Sequence, residues 1–319
     1  MAGIYGMLSQ HVEDCSHTLP LRRDHRMTTT VSLITPTYHR DFESCRLLCD
    51  SIDTFVVGFD KHYLLVSDDD YALFSPLNTD KRSVVPESKI LFNALRPLPR
   101  FMNWKGRQYY WAPGAGLPVY GWHVQQFRKL AMAVYQPSER VICIDSDNCF
   151  VQPFDAGEAA GGEKSPLYAD IGCVNQTRPH HVVWQKNAYR LLGEQEPPLP
   201  GDDYVGQMIV WDRQSVQSIL ERIEAVTGIA WWKALCKVRS FSEYILYGIG
   251  VKTDPDLFNR HKAVSQSMCN TYWSGPALDE AGIRALIAQM TEGQSAISIQ
   301  SHTQTAPSLM RSVTLAKRA

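Results

Sequence analysis

The sequence predicts an α/β fold in which a mixed, mostly parallel sheet is flanked by helices. Short apolar runs that end at proline, glycine or acidic residues alternate with segments whose apolar residues recur at helical spacing. With 319 residues, of which 44% are hydrophobic, the chain can bury a large core. A chain that is disordered throughout is therefore excluded, and no internal repeat is visible.

The first half of the chain supplies alternating strands and helices. In order, these are a strand at 31–37, a helix at 41–55, a strand at 62–66, a helix at 72–76, a strand at 83–85 and a helix at 122–135. The first strand stops at Pro36, and the second runs into three consecutive aspartates, Asp68 to Asp70. Acidic residues therefore follow the end of a buried strand.

A strand that starts at Val141 is the most informative segment, because Asp145 and Asp147 follow its apolar run. Alternation along a strand places side chains two residues apart on the same side. Two carboxylates so placed repel each other unless protons or a divalent cation compensate, and hard oxygen ligands suit Mg²⁺ or Mn²⁺. We therefore expect a metal site at these two aspartates.

The second half continues the same alternation. Further strands are predicted at 171–174, 208–211 and 295–299, and helices near 181–192, 214–226, 242–248 and 278–290. Such an order gives a mostly parallel or mixed sheet covered by helices.

Composition and charge narrow the class of protein. A formal net charge of -1 provides no positive electrostatic field that would attract nucleic acid, so we expect no nucleic-acid partner. The eight cysteines form no CxxC pair, which favours a reducing cytoplasm. No signal peptide and no apolar run of membrane-spanning length is present, so we expect a cytoplasmic protein that is soluble or peripheral. Three basic residues from Arg311 to Arg318 allow contact with the inner face of an anionic membrane, although a solvated tail explains them better.

Ligands of open α/β sheets bind outside the carboxyl ends of the strands. The ends of the first strand, of the strand before Asp68 and of the strand before Asp145 would converge there. A divalent ion held by only two carboxylates keeps positions open for phosphate oxygens. The chemistry indicated is the departure of a nucleoside diphosphate.

The order of elements resembles the GT-A glycosyltransferases, which bind a nucleotide sugar on such a sheet and hold a metal through an Asp-x-Asp motif. The matching segments are Val31-Ser-Leu-Ile-Thr-Pro-Thr37, Trp122-His-Val-Gln-Gln-Phe-Arg-Lys129 and Ile142-Cys-Ile-Asp-Ser-Asp147. The likeness extends over residues 30–305 and is most specific over 30–155. It implies a GT-A-like catalytic domain, a nucleotide-diphosphate sugar as donor, and a glycan or lipid-linked glycan as acceptor.

The resemblance also implies roles for individual residues. Asp145 and Asp147 would bind Mn²⁺ or Mg²⁺, and His302, in Ile299-Gln-Ser-His302, would be a third metal ligand. The donor would contact residues at the ends of the strands, namely Thr35, Pro36, Asp68, Asp145 and Ser146.

Composition and the GT-A resemblance together divide the chain into three segments. Residues 1–28 mix polar and charged types without periodicity and are expected to form a poorly ordered arm. Residues 29–305 would form one catalytic domain, with the nucleotide sugar bound by 29–155 and the acceptor by 156–305. Residues 306–319 are expected to be a C-terminal tail.

Residues on helices supply the remaining candidates. Gln126 and Lys129 lie one helical turn apart and could reach the sugar or the phosphates. An inverting transfer needs a general base, and Glu243 is the candidate because Ser242 can cap a helix there. Asp202 and Asp203 are the alternative carboxylates, of which Asp203 is the second candidate base, and a retaining transfer needs no base. Trp231 and Trp232 could stack an acceptor sugar or pack in the core.

Three other functions compete with glycosyl transfer. A phosphohydrolase resembling the haloacid dehalogenases would use Asp145 as nucleophile, but Cys149 stands where that class has Thr or Val. A non-catalytic nucleotide-sugar binder would keep the aspartates for metal alone. A nucleotidyltransferase would need a glycine-rich loop after the first strand, where the chain has Thr35-Pro36-Thr37-Tyr38-His39-Arg40.

Overall fold

The computed structural model of the protein describes residues 29–91, 95–102, 108–116 and 118–315. The predicted N-terminal arm, residues 1–28, and the last four residues of the predicted tail lie outside these ranges. Within them, no helix is long and apolar enough to cross a membrane.

Strands are distributed along the whole described chain. In order they are β1 (Val31–Pro36), β2 (Val56–Val57), β3 (Lys61–Val66), β4 (Arg82–Pro86), β5 (Arg96–Pro97), β6 (Tyr109–Trp111), β7 (Val119–Tyr120), β8 (Arg140–Cys143), β9 (Asn148–Phe150), β10 (Phe154–Asp155), β11 (Ser165–Tyr168), β12 (Asp170–Val174), β13 (Gly201–Asp203), β14 (Ile209–Asp212), β15 (His261–Val264), β16 (Cys269–Tyr272) and β17 (Ala296–Ile299).

Helices separate most of these strands. They are α1 (Phe42–Phe55), α2 (Tyr71–Phe74), α3 (Glu87–Ile90), α4 (Gly121–Tyr135), α5 (Ala156–Ala160), α6 (Pro179–Leu191), α7 (Arg213–Thr227), α8 (Trp231–Val238), α9 (Glu243–Thr253), α10 (Pro255–Asn259), α11 (Glu280–Ala288) and α12 (Pro307–Thr314). Short 3-10 helices include His39–Asp41 after β1 and Ser301–Thr303 after β17.

The central sheet has five strands in the order β14-β8-β1-β3-β4. Strands β8, β1, β3 and β4 are parallel, and β14 pairs antiparallel with β8. The prediction of a mixed, mostly parallel sheet flanked by helices is therefore confirmed. All six residues of β1 are buried, as expected for a central strand covered on both faces.

Side chains alternate between the two faces of the sheet and join separate clusters of the core. Ile34 of β1 and Cys143 of β8 pack with Phe127 of α4 on one face. Their neighbours in sequence, Leu33 and Ile142, pack with α1 residues on the other face. Burial of apolar area on both faces, at roughly 25 cal/mol per Å², holds the sheet between its helices.

The position of β1 decides where a ligand can bind. From β1 the chain moves outward to β3 and β4, then returns to place β8 on the other side of β1. The direction of strand addition therefore reverses between β1 and β8, and in open α/β sheets ligands bind in the crevice at such a point. Elements of the second half complete the arrangement, since β14 pairs with β8 and β17 pairs with β9.

The segment after residue 305 does not behave as a simple tail. Helix α12 begins with Pro307 at its first turn, and Met310 is buried in a cluster with Leu47 of α1. Arg311 forms an ion pair with Asp50, with 2.6 Å between Nη1 and Oδ2. The tail prediction was wrong for residues 307–314, because one apolar face of this short helix docks on α1 and α11. Arg311, one of the basic residues considered for membrane contact, is held by that carboxylate.

Candidate active site

A cavity of about 310 Å³ opens at the carboxyl end of β8. Its walls come from α4, α6, the start of α9, the loop before β14, and the segments that follow β8, β16 and β17. The lining residues are Trp122, Gln125, Gln126, Lys129, Asp145, His181, Trp184, Val205, Gly206, Gln207, Ser242, Glu243, Tyr244, Trp273 and Gln300. Most of this wall belongs to the second half of the chain, the half predicted to bind the acceptor.

Helix α4 presents one face to this cavity. Trp122, Gln125, Gln126 and Lys129 have the spacing i, i+3, i+4 and i+7, which places them along a single side of a helix. Because Gln126 and Lys129 are almost fully buried, their polar groups must find partners inside the protein.

Lys129 lies at the centre of a buried ionic network. Its Nζ is 2.7 Å from Oδ1 of Asp145 and 3.0 Å from Oε1 of Glu243, and it donates to the hydroxyl of Tyr244 at 2.8 Å. Burial alone would lower the pKa of Lys129, but the charges of Asp145, Tyr244 and Glu243 raise it well above its usual range. The three hydrogens of the ammonium thus match three partners. Lys129 was predicted to reach sugar or phosphate, and the structure instead pairs it with carboxylates.

Glu243 is the first residue of α9, as the sequence predicts. Ser242 caps the helix, accepting from the backbone N–H of Ile245 at 3.5 Å. The backbone N–H of Glu243 donates to Oε1 of Gln126 at 3.0 Å. Burial raises the pKa of Glu243, while the Lys129 ammonium opposes that rise. The carboxylate is therefore fixed in the cavity wall in a medium that makes it a stronger base.

Helix α9 can pack so deeply because of Gly248. A Cβ at this position would overlap the ring of Tyr204. The glycine lets the helix backbone lie directly on that ring.

Asp145 and Asp147 follow the end of β8, but in a turn rather than on the strand. Strand β8 ends at Cys143, so strand alternation does not place the two side chains. Asp145 faces Lys129, whereas Asp147 accepts from Gln300 Nε2 at 2.9 Å and from Ser298 Oγ at 3.2 Å. The expectation that alternation aligns them was wrong, because the strand stops before Asp145.

The two carboxylates nevertheless interact electrostatically, and a third joins them. Burial and the charge of Asp145 raise the pKa of Asp147 to about 7. Burial raises the pKa of Asp41 to about 6, with Asp145 adding to the shift and the Ser146 hydroxyl, which donates to Asp41 at 3.4 Å, opposing it. Negative charge thus accumulates beside Asp145 beyond what Lys129 neutralises.

A divalent ion fits this charge distribution, although three protein ligands are not assembled. In the described residues no group of three or more His, Cys, Asp or Glu side chains is placed to hold a metal. Mg²⁺ is commonly held by one or two carboxylates together with substrate phosphates. Asp145 and Asp147 could supply the carboxylates, and a bound donor would supply the phosphates. His302 was predicted as third ligand but is exposed in the Ser301–Thr303 helix. Gln300, two residues earlier, contacts Asp147 instead.

The predicted donor contacts at the first two strands are placed differently from expectation. Thr35 is fully buried, and its hydroxyl is 3.0 Å from His62 Nε2 inside the sheet. Pro36 is buried at the end of β1. Asp68 is exposed and accepts hydrogen bonds from the hydroxyl and backbone N–H of Ser88. Because side chains alternate along β1, the side chain of Thr35 packs in the core. It therefore does not border a nucleobase pocket.

Asp70, two residues after Asp68, is buried. Its carboxylate accepts from the backbone N–H of His39 at 3.2 Å and contacts the ring of the same residue at 3.2 Å. Asp70 therefore ties the end of β3 to the His39–Asp41 helix and helps to position Asp41.

Asp203, the alternative base, is used elsewhere. It is 2.8 Å from Nη1 of Arg178 and 2.8 Å from Nδ1 of His181. Burial would raise the pKa of Asp203, but hydrogen bonds from His181, Val205 and Arg178 lower it overall. It is not among the described residues that line the cavity.

Several residues of the site were not found from the sequence. Trp122, Trp184 and Trp273 line the cavity, whereas Trp231 and Trp232 pack against the core beside Phe127. The stripe from Trp122 to Lys129 was visible in the helical spacing. Asp41 belongs to no recognisable motif. The fold brings it close to Asp145 because it follows β1, the neighbour of β8 in the sheet.

Comparison with known proteins assigns the chain to a protein family. A model described as "Family of unknown function (DUF6492)" matches residues 28–311, which is most of the chain, so the protein belongs to this family. No curated protein matches the chain.

Proposed function

We propose that this DUF6492 protein is a glycosyltransferase that moves a sugar from a nucleotide-diphosphate donor to a hydroxyl of a glycan. The observation that carries the proposal is the meeting of Asp145 and Glu243 in one cavity at the reversal point of the sheet, linked by Lys129. One member of the predicted metal pair, Asp145, and a buried carboxylate that can act as a base then face the same space.

The order of strands supports a GT-A-like fold. Four parallel strands are followed by the antiparallel β14, which lies beside β8, the strand that the paired aspartates follow. The donor would bind at the carboxyl ends of β1 and β8, where Asp41 and Ser146 also lie.

Asp145 and Asp147 would hold Mn²⁺ or Mg²⁺. When bound, such an ion neutralises phosphate oxygens of the leaving nucleoside diphosphate. Burial raises the pKa of Asp147 and Asp41, and the charge of Asp145 adds to the rise, so a bound cation would stabilise the ionised form of both groups. Gln300 and Ser298 orient the carboxylate of Asp147 through their hydrogen bonds.

Glu243 would act as the general base of an inverting transfer. The acceptor oxygen forms a bond to the anomeric carbon, the bond from that carbon to the diphosphate breaks, and the hydroxyl proton passes to the carboxylate of Glu243. Lys129 keeps this buried carboxylate ionised before the reaction. Burial raises its pKa and so brings it nearer to the operating pH of a base.

The proposal is tested by release of nucleoside diphosphate from a panel of nucleotide sugars with Mn²⁺ or Mg²⁺. We expect release with one donor, loss of release in a chelator, and loss in the double variant Asp145→Asn, Asp147→Asn. Asp80→Asn, an exposed acid before the amino end of β4, is the matched control. Release undiminished in the double variant, or phosphate release from a phosphomonoester with no donor consumed, would overturn the proposal.

A further inference from the structure

The cavity beside Asp145 has the lining of a site for uncharged, hydroxyl-rich ligands. Aromatic rings and side-chain amides make up most of it. The rings belong to Trp122, His181, Trp184, Tyr244 and Trp273, and the amides to Gln125, Gln126, Gln207 and Gln300. Its volume of about 310 Å³ is at the lower end for ligand pockets, which suits a monosaccharide-sized group.

Three of the rings form a continuous wall. The rings of Trp122 and Trp184 lie 5.5 Å apart at 30°, and those of His181 and Trp184 lie 4.7 Å apart at 39°. Trp122 is 37% exposed, and Trp273, on another side of the cavity, is 50% exposed. Partly exposed indole faces around a small cavity offer flat apolar area for the C–H face of a pyranose ring.

Charge in the cavity argues against an anionic ligand. The lining contains Lys129 as its one lysine or arginine among the described residues, and that ammonium already contacts the carboxylates of Asp145 and Glu243. Without a bound metal ion, a phosphate or carboxylate placed here would meet the two carboxylates and one cation that is already paired. Burying an unpaired anion in such a place is strongly unfavourable.

Gln126 supplies an observation independent of the lining. The residue is 2% exposed, and its Nε2 is buried without a hydrogen-bond partner among the described residues. The orientation of the Gln126 side-chain amide is fixed. The backbone N–H of Glu243 can only donate, so the amide atom that faces it must be the oxygen, Oε1. A buried donor left unpaired is costly, and a ligand oxygen at the cavity would satisfy it.

The two neighbours define what that oxygen must be. Gln126 and Glu243 both line the cavity and share a backbone hydrogen bond, so an oxygen that accepts from Gln126 Nε2 shares the cavity with the carboxylate of Glu243. A hydroxyl can accept from the amide and donate to the carboxylate at once. An ether or carbonyl oxygen could only accept.

We infer that this cavity binds a neutral pyranose residue of the glycan acceptor, stacked on Trp122 and Trp184, with its reacting hydroxyl between Gln126 and Glu243. The inference rests on the proposed function and adds the chemical class of the acceptor. Hexuronic acids and sugar phosphates are excluded from this position, so a lipid-linked acceptor would place its phosphate outside the cavity.

Binding is measured without any donor, by quenching of tryptophan fluorescence and by saturation-transfer NMR. The ligands are neutral methyl hexopyranosides and their disaccharides, methyl glucuronide, and hexose 1-phosphate. We expect saturable binding of at least one neutral glycoside and none of the two anionic ligands. The Gln126→Leu change should weaken that binding about fivefold, the effect of one lost hydrogen bond.

The variant Trp184→Ala should weaken binding further, and Trp232→Phe, outside the cavity wall, serves as control. Thermal melting of each variant separates loss of binding from loss of folding, and Trp184→Phe retains a ring if the alanine variant does not fold. Binding of the anionic ligands in preference to neutral ones, or neutral binding unchanged in Gln126→Leu, would overturn the inference.

The outcomes separate this inference from the proposed function. Metal-dependent nucleotide binding without binding of any neutral glycoside would leave the transferase standing and remove the acceptor assignment. Binding of neutral glycosides without any nucleotide binding would leave a carbohydrate site and remove the transferase.

Discussion

Replacement of Lys129 by Met tests whether the ammonium holds the two carboxylates in place. The side chains of Lys129 and Glu243 are each 5% exposed, whereas that of Asp145 is 34% exposed and keeps part of its hydration. Removing one partner of a buried ion pair costs about 3–5 kcal/mol, against about 0–1 kcal/mol for a surface pair. Since Glu243 cannot recover its hydration, we expect a loss of roughly 3–5 kcal/mol in the free energy of unfolding.

The pH dependence of that loss gives a second readout. Without the ammonium, the pKa of the buried Glu243 in the folded state should rise further above its unfolded value. An acid with a raised folded pKa destabilises the protein while ionised, and the deficit shrinks as pH falls through the folded pKa. The difference from the wild type should therefore be larger at about pH 8 than at about pH 5.

Urea denaturation of the wild type, Lys129→Met and the exposed control Lys237→Met measures both effects. The double variant Lys129→Met, Glu243→Gln should regain part of the lost stability, because no unpaired carboxylate remains. A loss under about 1 kcal/mol, or one that does not change with pH, would refute the argument that Glu243 depends on this cation.

Three further outcomes follow from the site. Glu243→Gln should lower kcat about 10²–10⁴-fold with nucleotide binding retained, as measured by initial rates and calorimetry, and a kcat near the wild type would remove Glu243 as base. Mn²⁺ affinity should rise with pH up to about 7, because Asp147 must lose its proton to bind the ion. Metal-free stability should fall between the ordinary pKa of 3.8 and the raised folded pKa of about 7, and should level off above it. Titration calorimetry and melting scans check both, and the opposite slopes would contradict them. Gly248→Ala should cost about 1–3 kcal/mol through overlap with Tyr204, whereas Gly121→Ala, whose Cβ would meet no atom within 4 Å, should be nearly neutral in the same denaturation assay.

The sheet and its helices were largely predictable because strands β1, β3, β8 and β14 are apolar runs with clear stops. The helical spacing of residues 41–55 and 122–135 predicted α1 and α4 within one residue at each end. Helix α12 was missed because it is only eight residues long and has one polar side. Only its packing on α1 reveals its role.

The site was predictable where a residue follows directly from a strand end or a helix cap. Asp145 and Glu243 belong to that class. The partners of Lys129 were not, because the contact between Lys129 and Glu243 joins residues 114 positions apart. The predictions for His302 and Asp68 depended on which nearby residue faces inward, and spacing alone does not decide this. Gln300, two residues before His302, contacts Asp147, and Asp70, two residues after Asp68, contacts His39.

Binding of a nucleoside diphosphate with and without Mn²⁺ tests the central claim most directly. Thermal shift on the wild type should show stabilisation by UDP or GDP that requires the metal, worth about 2.7 kcal/mol when the ligand is at 100 times its Kd. The double variant Asp145→Asn, Asp147→Asn should lose that shift while the Asp80→Asn control keeps it. Equal stabilisation of the wild type and the double variant, or none with any nucleotide, would contradict a metal-assisted nucleotide site at the end of β8.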